Sequence, residues 1–335
     1  MSEQSPHSRR IGTFLWRLLV VIGIVLLVGG LVYAKVFGPT DTQAQPQEIF
    51  VQEDESVSDV ARELTQKGFV RNEWVFQVAY LRESYGHTIR PGGYKLSRSM
   101  DAWTIASVLT QPPYLVYVKI RVGVRKEQIA TLLSDALGWD AGKKQAWLNA
   151  TQSAGKDYAE GVYFPDTYFI PTTLAPSEVA TLIRARFQEA FEPYAKEATA
   201  KNIPWPTVLT IASLIQREAG SVSDMAIISG VIQRRLAVGM PLAIDATLQY
   251  MGNTEETGWW APPRKANSYA NSPFNTYKTK GLPPHPIAEP GLAAIRAALN
   301  PTPTNCLFYI HDRQGVMHCS PTYAGQLANI NNYLR

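Results

Sequence analysis

Three hydrophobic patterns follow one another along the chain. The first is an unbroken apolar run, "LLVVIGIVLLVGGLVYA" from Leu18 to Ala34, which residues 14–16 extend. That is about the length needed to cross ~30 Å of hydrocarbon at 1.5 Å per residue. The second pattern alternates short strand-like runs with amphipathic helical ones. "EIFV" precedes "SVSDVARELTQ", in which Val60, Ala61 and Leu64 share a face and Ser56 and Asp59 stand at capping-box spacing. "NEWVFQVAYLRES" and "AWTIASVLTQ" read as helices on either side of the strand "GGYKLS". "YVKIRVGVRKEQIATLLSDALG" then repeats the strand-then-helix order, with Ile129, Leu132, Leu133 and Leu137 as its stripe. In the third pattern, helices such as "SEVATLIRARFQEAFEPYAKEA" and "PTVLTIASLIQREAG" are separated by loops crowded with aromatic, proline and glycine residues. The longest loop is "APPRKANSYANSPFNTYKTKGLPPHPIAEPGL". Irregular segments of that length inside a compact domain usually carry function.

These patterns predict an α+β chain with a tail over 1–13, a transmembrane helix over 14–35 and a linker over 36–47. Small α+β modules follow over 48–150, and a larger α+β domain over 151–335. Arg9, Arg10 and Arg17 precede the apolar run and only Lys35 follows closely. The positive-inside rule therefore predicts a cytoplasmic N-terminus and an exported remainder. A signal peptide is the alternative, although "VYAKVF" offers Ala34 behind a bulky Val32, a poor cleavage pattern. In an exported domain the two cysteines, Cys306 and Cys319, flank a predicted hairpin turning at Asp312–Gly315. A cross-strand disulfide and two free thiols both stay open. The net charge of +4 is small and evenly spread, and argues against a nucleic-acid partner.

One residue stands out within "TIASLIQREAG". If Ile211, Leu214 and Ile215 face inward, the 3.6-residue period brings Glu218 into the same column, while Gln216 and Arg217 point elsewhere. A glutamate near a helix end is commonly solvated or paired, and Arg234 or Arg235 could neutralise it. On an apolar face, however, a carboxylate loses hydration and its pKa rises, which suits a general acid near neutral pH.

Other constellations fit known chemistry less well. Ser153–Lys156 has Ser-x-x-Lys spacing and Tyr269–Asn271 echoes a second acyl-enzyme element, but "KTKG" breaks the third. His311, His318 and Cys319 match no usual metal-ligand spacing and read as hairpin surface. The sequence implies no metal and no organic cofactor.

"EGVYFPDTYFIP", "ASLIQREAG", "IDATLQY", "SPFNTYKTKGLPPHPIAEPGL" and "AALNPTPTNCLFYI" occur in that order. Together with the apolar N-terminal run they resemble the endolytic murein transglycosylases, the YceG-like family. The resemblance implies a membrane anchor, a LysM-like module over 48–150 and a catalytic domain over 151–335. It implies cleavage between N-acetylmuramic acid and N-acetylglucosamine within peptidoglycan strands, leaving 1,6-anhydro-N-acetylmuramic acid ends. Glu218 matches the family's catalytic glutamate. Substrate contacts are implied for Asp245, Thr247 and Tyr250, for Asn275, Thr276 and Tyr277, for Gly281, Leu282 and Pro283, and for Tyr163 and Asp166. Each also has a plain structural reading: Asp166 as a cap, Tyr163 and Tyr168 as core. Peptidoglycan synthases are implied as partners at the inner membrane, with control of glycan strand length.

The sequence departs from the family pattern at four places, one of them "RRL" at Arg234–Leu236 where Asn-Arg-Leu is usual. Gln216 stands where an acidic residue is frequent, and His285 and Glu289 interrupt what is usually "GLPPGPIANPG". Two other readings remain: a hydrolytic muramidase using Asp245 or Glu289 as a second carboxylate, and a non-catalytic peptidoglycan-binding scaffold.

Overall fold

A computed structural model describes residues 6–153 and 160–334; of the Ser153–Lys156 motif, all but the backbone of Ser153 falls outside them. The chain is mixed α and β and forms two compact units. The first comprises residues up to Tyr117 together with Pro171–Thr173, and the second comprises Val118–Ile170 and Leu174–Arg335.

In the first unit, α1 (Pro6–Phe37) contains Trp16–Phe37, 22 residues of mean hydropathy 2.5. This helix is long and apolar enough to span a bilayer, and its side chains from Trp16 to Val32 are exposed. Its last turn is different: Phe37 stacks on Trp103 at 5.1 Å and meets Trp74 edge-on at 5.8 Å. Strands β1 (Gln47–Val51) and β2 (Gly92–Leu96) pair antiparallel from Gln47↔Leu96 to Val51↔Gly92. Helices α2 (Val57–Gln66), α3 (Glu73–Glu83) and α4 (Ala102–Thr110) pack on them. The capping box read from the sequence starts α2, with Ser56 and Asp59 bonding each other's backbone amides. Val60, Ala61 and Leu64 enter a core with Phe69, Phe76, Tyr94 and Leu96. Gly92 has φ +145°, and a Cβ there would lie 2.4 Å from the Leu115 carbonyl, so only glycine lets β3 (Leu115–Lys119) begin alongside β2.

The second unit begins within β3. Here Ile120 N–H donates to the Asp166 carbonyl at 2.9 Å, just before β4 (Thr167–Pro171). Helices α5 (Lys126–Leu137) and α6 (Ala141–Ser153) belong to this unit, with α6 packing on α7 (Pro176–Ala200). The division therefore falls in β3, and the sequence boundary at 150 lies inside α6. The α5 stripe announces a buried face without naming its partner, which is α6 of the same unit. Further along come α8 (Trp205–Glu218), α9 (Met225–Ala237), α10 (Asp245–Gly252) and α11 (Leu292–Leu299). The chain closes with β5 (Phe308–His311), β6 (Met317–Ser320) and α12 (Tyr323–Tyr333). Helix α8 sits centrally, packed by α7, α9, α10 and α11, with Leu209, Ala212, Leu214 and Ile215 fully buried.

Candidate active site

Glu218 is the last residue of α8; Ala219 turns extended and its N–H closes the helix on the Ile215 carbonyl. As the wheel predicts, Ile211, Leu214 and Ile215 are buried above it. The carboxyl is half-buried and its pKa lies above the usual value. Desolvation is the main cause, opposed by a hydrogen bond from Tyr309, reinforced by the Asp245 charge and moderated by Arg235 and His311. The C-terminal end of a helix carries partial negative charge, which pushes in the same upward direction.

Four other elements surround it. From α9, Arg235 donates to the Leu307 carbonyl at 2.6 Å and to the Leu242 carbonyl, pinning both the start of the hairpin and the approach to α10. From β5, Tyr309 O–H donates to Glu218 Oε2 at 2.5 Å. His311, two residues on and so on the same strand face, lies 3.3 Å from Asp224 Oδ2. The hairpin turns at Asp312–Gly315 as predicted: Asp312 Oδ1 accepts from Gln314 and Val316 N–H, and Gly315 has φ +79°. Cys306 and Cys319 form a disulfide that closes its base. A cavity of about 380 Å³, lined in part by Ser221, Asp224 and Val316, opens beside the His311–Asp224 pair. Among the described residues, no group of three or more His, Cys, Asp or Glu side chains is arranged to hold a metal.

From α10, Asp245 accepts the Tyr277 phenol proton at 2.5 Å. Both side chains are exposed. The residues that join these two segments are covered. Thr276 O accepts from Ala243 N–H, Thr276 Oγ1 accepts from Ile244 N–H, and Thr276 and Thr247 share a hydroxyl bond of 2.9 Å. Asn275 is fully buried; its amide donates to the Ser268 and Ala270 carbonyls and its Oδ1 accepts from Tyr277 N–H. Ala243, just ahead, holds φ +48°, an unfavourable conformation for a residue with a Cβ.

Of the residues singled out in the sequence, Asp245 and Tyr277 therefore gather at Glu218 with free surface. Thr247, Asn275 and Thr276 are the braces behind them, with their polar groups already used by protein. Tyr250, Tyr163 and Asp166 are elsewhere. Tyr250 is buried and donates to Glu160 Oε2 at 3.0 Å, with its ring under the Arg125 guanidinium at 4.2 Å. Tyr163 is core against Trp147, and Asp166 caps Thr167 N–H and pairs with Arg186 at 2.7 Å. Gly281 has φ +94° and is half-exposed with Leu282, whereas Pro283 is buried.

The loop that follows is stitched to α8. Ile287 N–H donates to Ser213 Oγ at 3.1 Å and Gly291 N–H to Gln216 Oε1 at 3.1 Å. Gln216 is thus an anchor for the loop, off the Glu218 face. Glu289 is fully buried and accepts from Gly161 and Tyr163 N–H, so it cannot reach solvent to activate water. A Cβ on Gly161 would lie 2.7 Å from Pro286, so glycine is needed for that approach. His285 packs between Phe274 and Tyr250, and burial lowers its pKa.

Tyr309 was not among the sequence candidates, and His311, read there as hairpin surface, faces Glu218 instead. Period-2 alternation in "CLFYIHD" would have put both on one face, but nothing local says that α8 lies opposite.

The model of the YceG-like family matches residues 49–332. The chain belongs to the YceG-like family. Two relatives bear the name endolytic murein transglycosylase. The Bacillus subtilis protein is 27% identical over 319 residues, covering 87% of this chain and 86% of its own length. The Streptococcus pneumoniae protein is 25% identical over 295 residues, and the match spans about half of it, 53%, and 78% of this chain. A crystal structure of a YceG-like protein from Listeria monocytogenes superposes with a TM-score of 0.62 at 23% identity, covering 84% of this chain and 98% of the other, a likeness of fold.

Proposed function

We propose that this protein is an endolytic lytic transglycosylase of peptidoglycan, with Glu218 as its acid and base. The observation that carries the reading is the Glu218 carboxyl itself, raised in pKa by burial and held at the end of α8 beside exposed sugar-compatible groups. Its motif is the one by which the sequence resembles the family, and the names of the B. subtilis and S. pneumoniae relatives support the same activity.

One carboxyl suffices for this reaction. Protonated Glu218 gives its proton to the glycosidic oxygen as the bond to the anomeric carbon of N-acetylmuramic acid breaks. The C6 hydroxyl of that sugar forms the new bond to the anomeric carbon, and its proton returns to Glu218. No water enters and the enzyme ends as it began. A glycosidase that hydrolyses needs a second carboxylate for water or as nucleophile. Asp245 is the one residue that keeps the muramidase reading in play, because its charge acts on Glu218.

The anchor reading rests on α1 and on the arginines before it: the N-terminus is cytoplasmic and the chain that follows α1 lies outside the membrane. The α/β core between β1 and α4 serves as the LysM-like glycan-holding module, and synthases are the partners where strand length is set.

Mass analysis of peptidoglycan products made by the full chain in detergent tests the activity. Anhydro-muramyl ends are expected from the native protein, with Glu218→Gln slowed by about 10²–10⁴-fold. Reducing ends would point to hydrolysis through Asp245, and glycan binding without cleavage would leave the scaffold reading.

A further inference from the structure

Glu218 has two oxygens, and the surrounding protein treats them differently. Oε2 receives the Tyr309 hydroxyl; among the described residues no side chain or backbone group bonds Oε1. Tyr309 is itself fixed: its strand is paired to β6 opposite Cys319, its carbonyl accepts from Gln326 of α12 at 3.0 Å, and the disulfide at Cys306 closes the strand base. Burial and the Glu218 charge push the phenol well above its ordinary range, so it remains a donor throughout the working range of pH.

We infer that Tyr309 is a positioning residue that occupies Glu218 Oε2 and so reserves Oε1 as the oxygen that gives and retakes the proton. The inference rests on the proposed transglycosylase reading and deepens it. In a protonated carboxyl the carbonyl oxygen is the better acceptor, so a phenol that donates to Oε2 favours that oxygen as the carbonyl and places the acidic hydrogen on Oε1. One carboxyl oxygen then serves both half-steps, and the carboxyl need not rotate between them. The charged and titratable groups facing Glu218 are Arg217 on its own helix, Arg235 from α9, Asp245 from α10, Tyr277 from the loop after it, and Tyr309 and His311 from β5. Asp224 stands behind His311.

Tyr309→Phe in the full chain is the test, read in two ways. Infrared difference titration, each protein against its Glu218→Gln counterpart, follows the Glu218 carboxyl directly and needs no turnover. Loss of the Tyr309 bond is expected to move that titration to higher pH, since the bond favours the charged carboxylate. With peptidoglycan, kcat is expected to fall about tenfold, the order of one hydrogen bond to a charged group. KM should hold and the alkaline limb should move upward with the titration. A titration and limb that superimpose on the native curves would overturn the inference, even if kcat fell. Should the Phe variant fail to fold, 3-fluorotyrosine at 309 keeps the ring and makes a stronger donor; the limb then moves to lower pH, and an unmoved limb is again fatal. Full activity of Glu218→Gln would instead overturn the functional reading, whatever Tyr309 does.

Discussion

Tyr277 donates its phenol proton to Asp245 Oδ1 over 2.5 Å, although the two residues stand 32 positions apart. Both side chains reach the surface where Glu218 is half-covered, and the Asp245 charge helps hold the Glu218 proton in place. Asp245→Asn removes that charge while keeping the shape. Glu218 should then lose its proton at lower pH, so the alkaline limb of the activity profile moves toward acid and activity at pH 7 drops. A profile measured from anhydro-muramyl product checks it. Were Asp245 the base of a hydrolase, the native protein would give reducing-end products and the same variant would abolish them.

Glu160 and Glu289 form a second, buried relationship beneath the loop that is stitched to α8. Glu160 accepts from Lys126 N–H and Tyr250 O–H, and the Lys126 ammonium lies 3.8 Å away. Glu289 accepts two backbone N–H groups and is pushed well above the carboxylate range, by burial first and by the Glu160 charge next. Burial raises Glu160 as well, so the pair keeps a proton between its two carboxyls. A folded pKa above the unfolded one gives stability that is full below the unfolded pKa and is lost as pH rises through the folded one. Thermal melts should accordingly fall as pH is raised from about 4.5. Glu289→Gln cannot titrate and should flatten that slope, even if its absolute melting temperature is lower because one backbone N–H loses its acceptor. An unchanged slope would mean that the pair does not hold the proton.

What was legible in the sequence was what short-range periodicity encodes. The Glu218 column, the Ser56–Asp59 box and the turn at Asp312–Gly315 each follow from spacing within a few residues, and each is present. The remainder depends on distant pairing. No local signal says that Tyr309 crosses 91 residues to reach Glu218, or that α5 packs on α6 within the second unit. Polar residue types in a loop were equally ambiguous. Asn275 and Thr276 have the chemistry of sugar-binding groups, yet backbone amides and carbonyls beside them use the same donors and acceptors first.

Thr276→Val separates bracing from binding. Its Oγ1 accepts from the Ile244 N–H immediately before Asp245 and bonds Thr247, all within buried surroundings. Valine keeps the volume but leaves the Ile244 N–H without its acceptor, at a cost of about 1–3 kcal/mol for that one buried group, while the Thr247 hydroxyl keeps its bond to the Ile244 carbonyl. Urea unfolding should therefore show a loss of about 2 kcal/mol. Because Ile244 sets the first turn of α10, Asp245 shifts relative to Glu218, so kcat should fall while KM stays near the native value. The opposite pattern, unchanged stability with a raised KM, would mean that Thr276 touches glycan directly and that the buried arrangement opens when substrate enters.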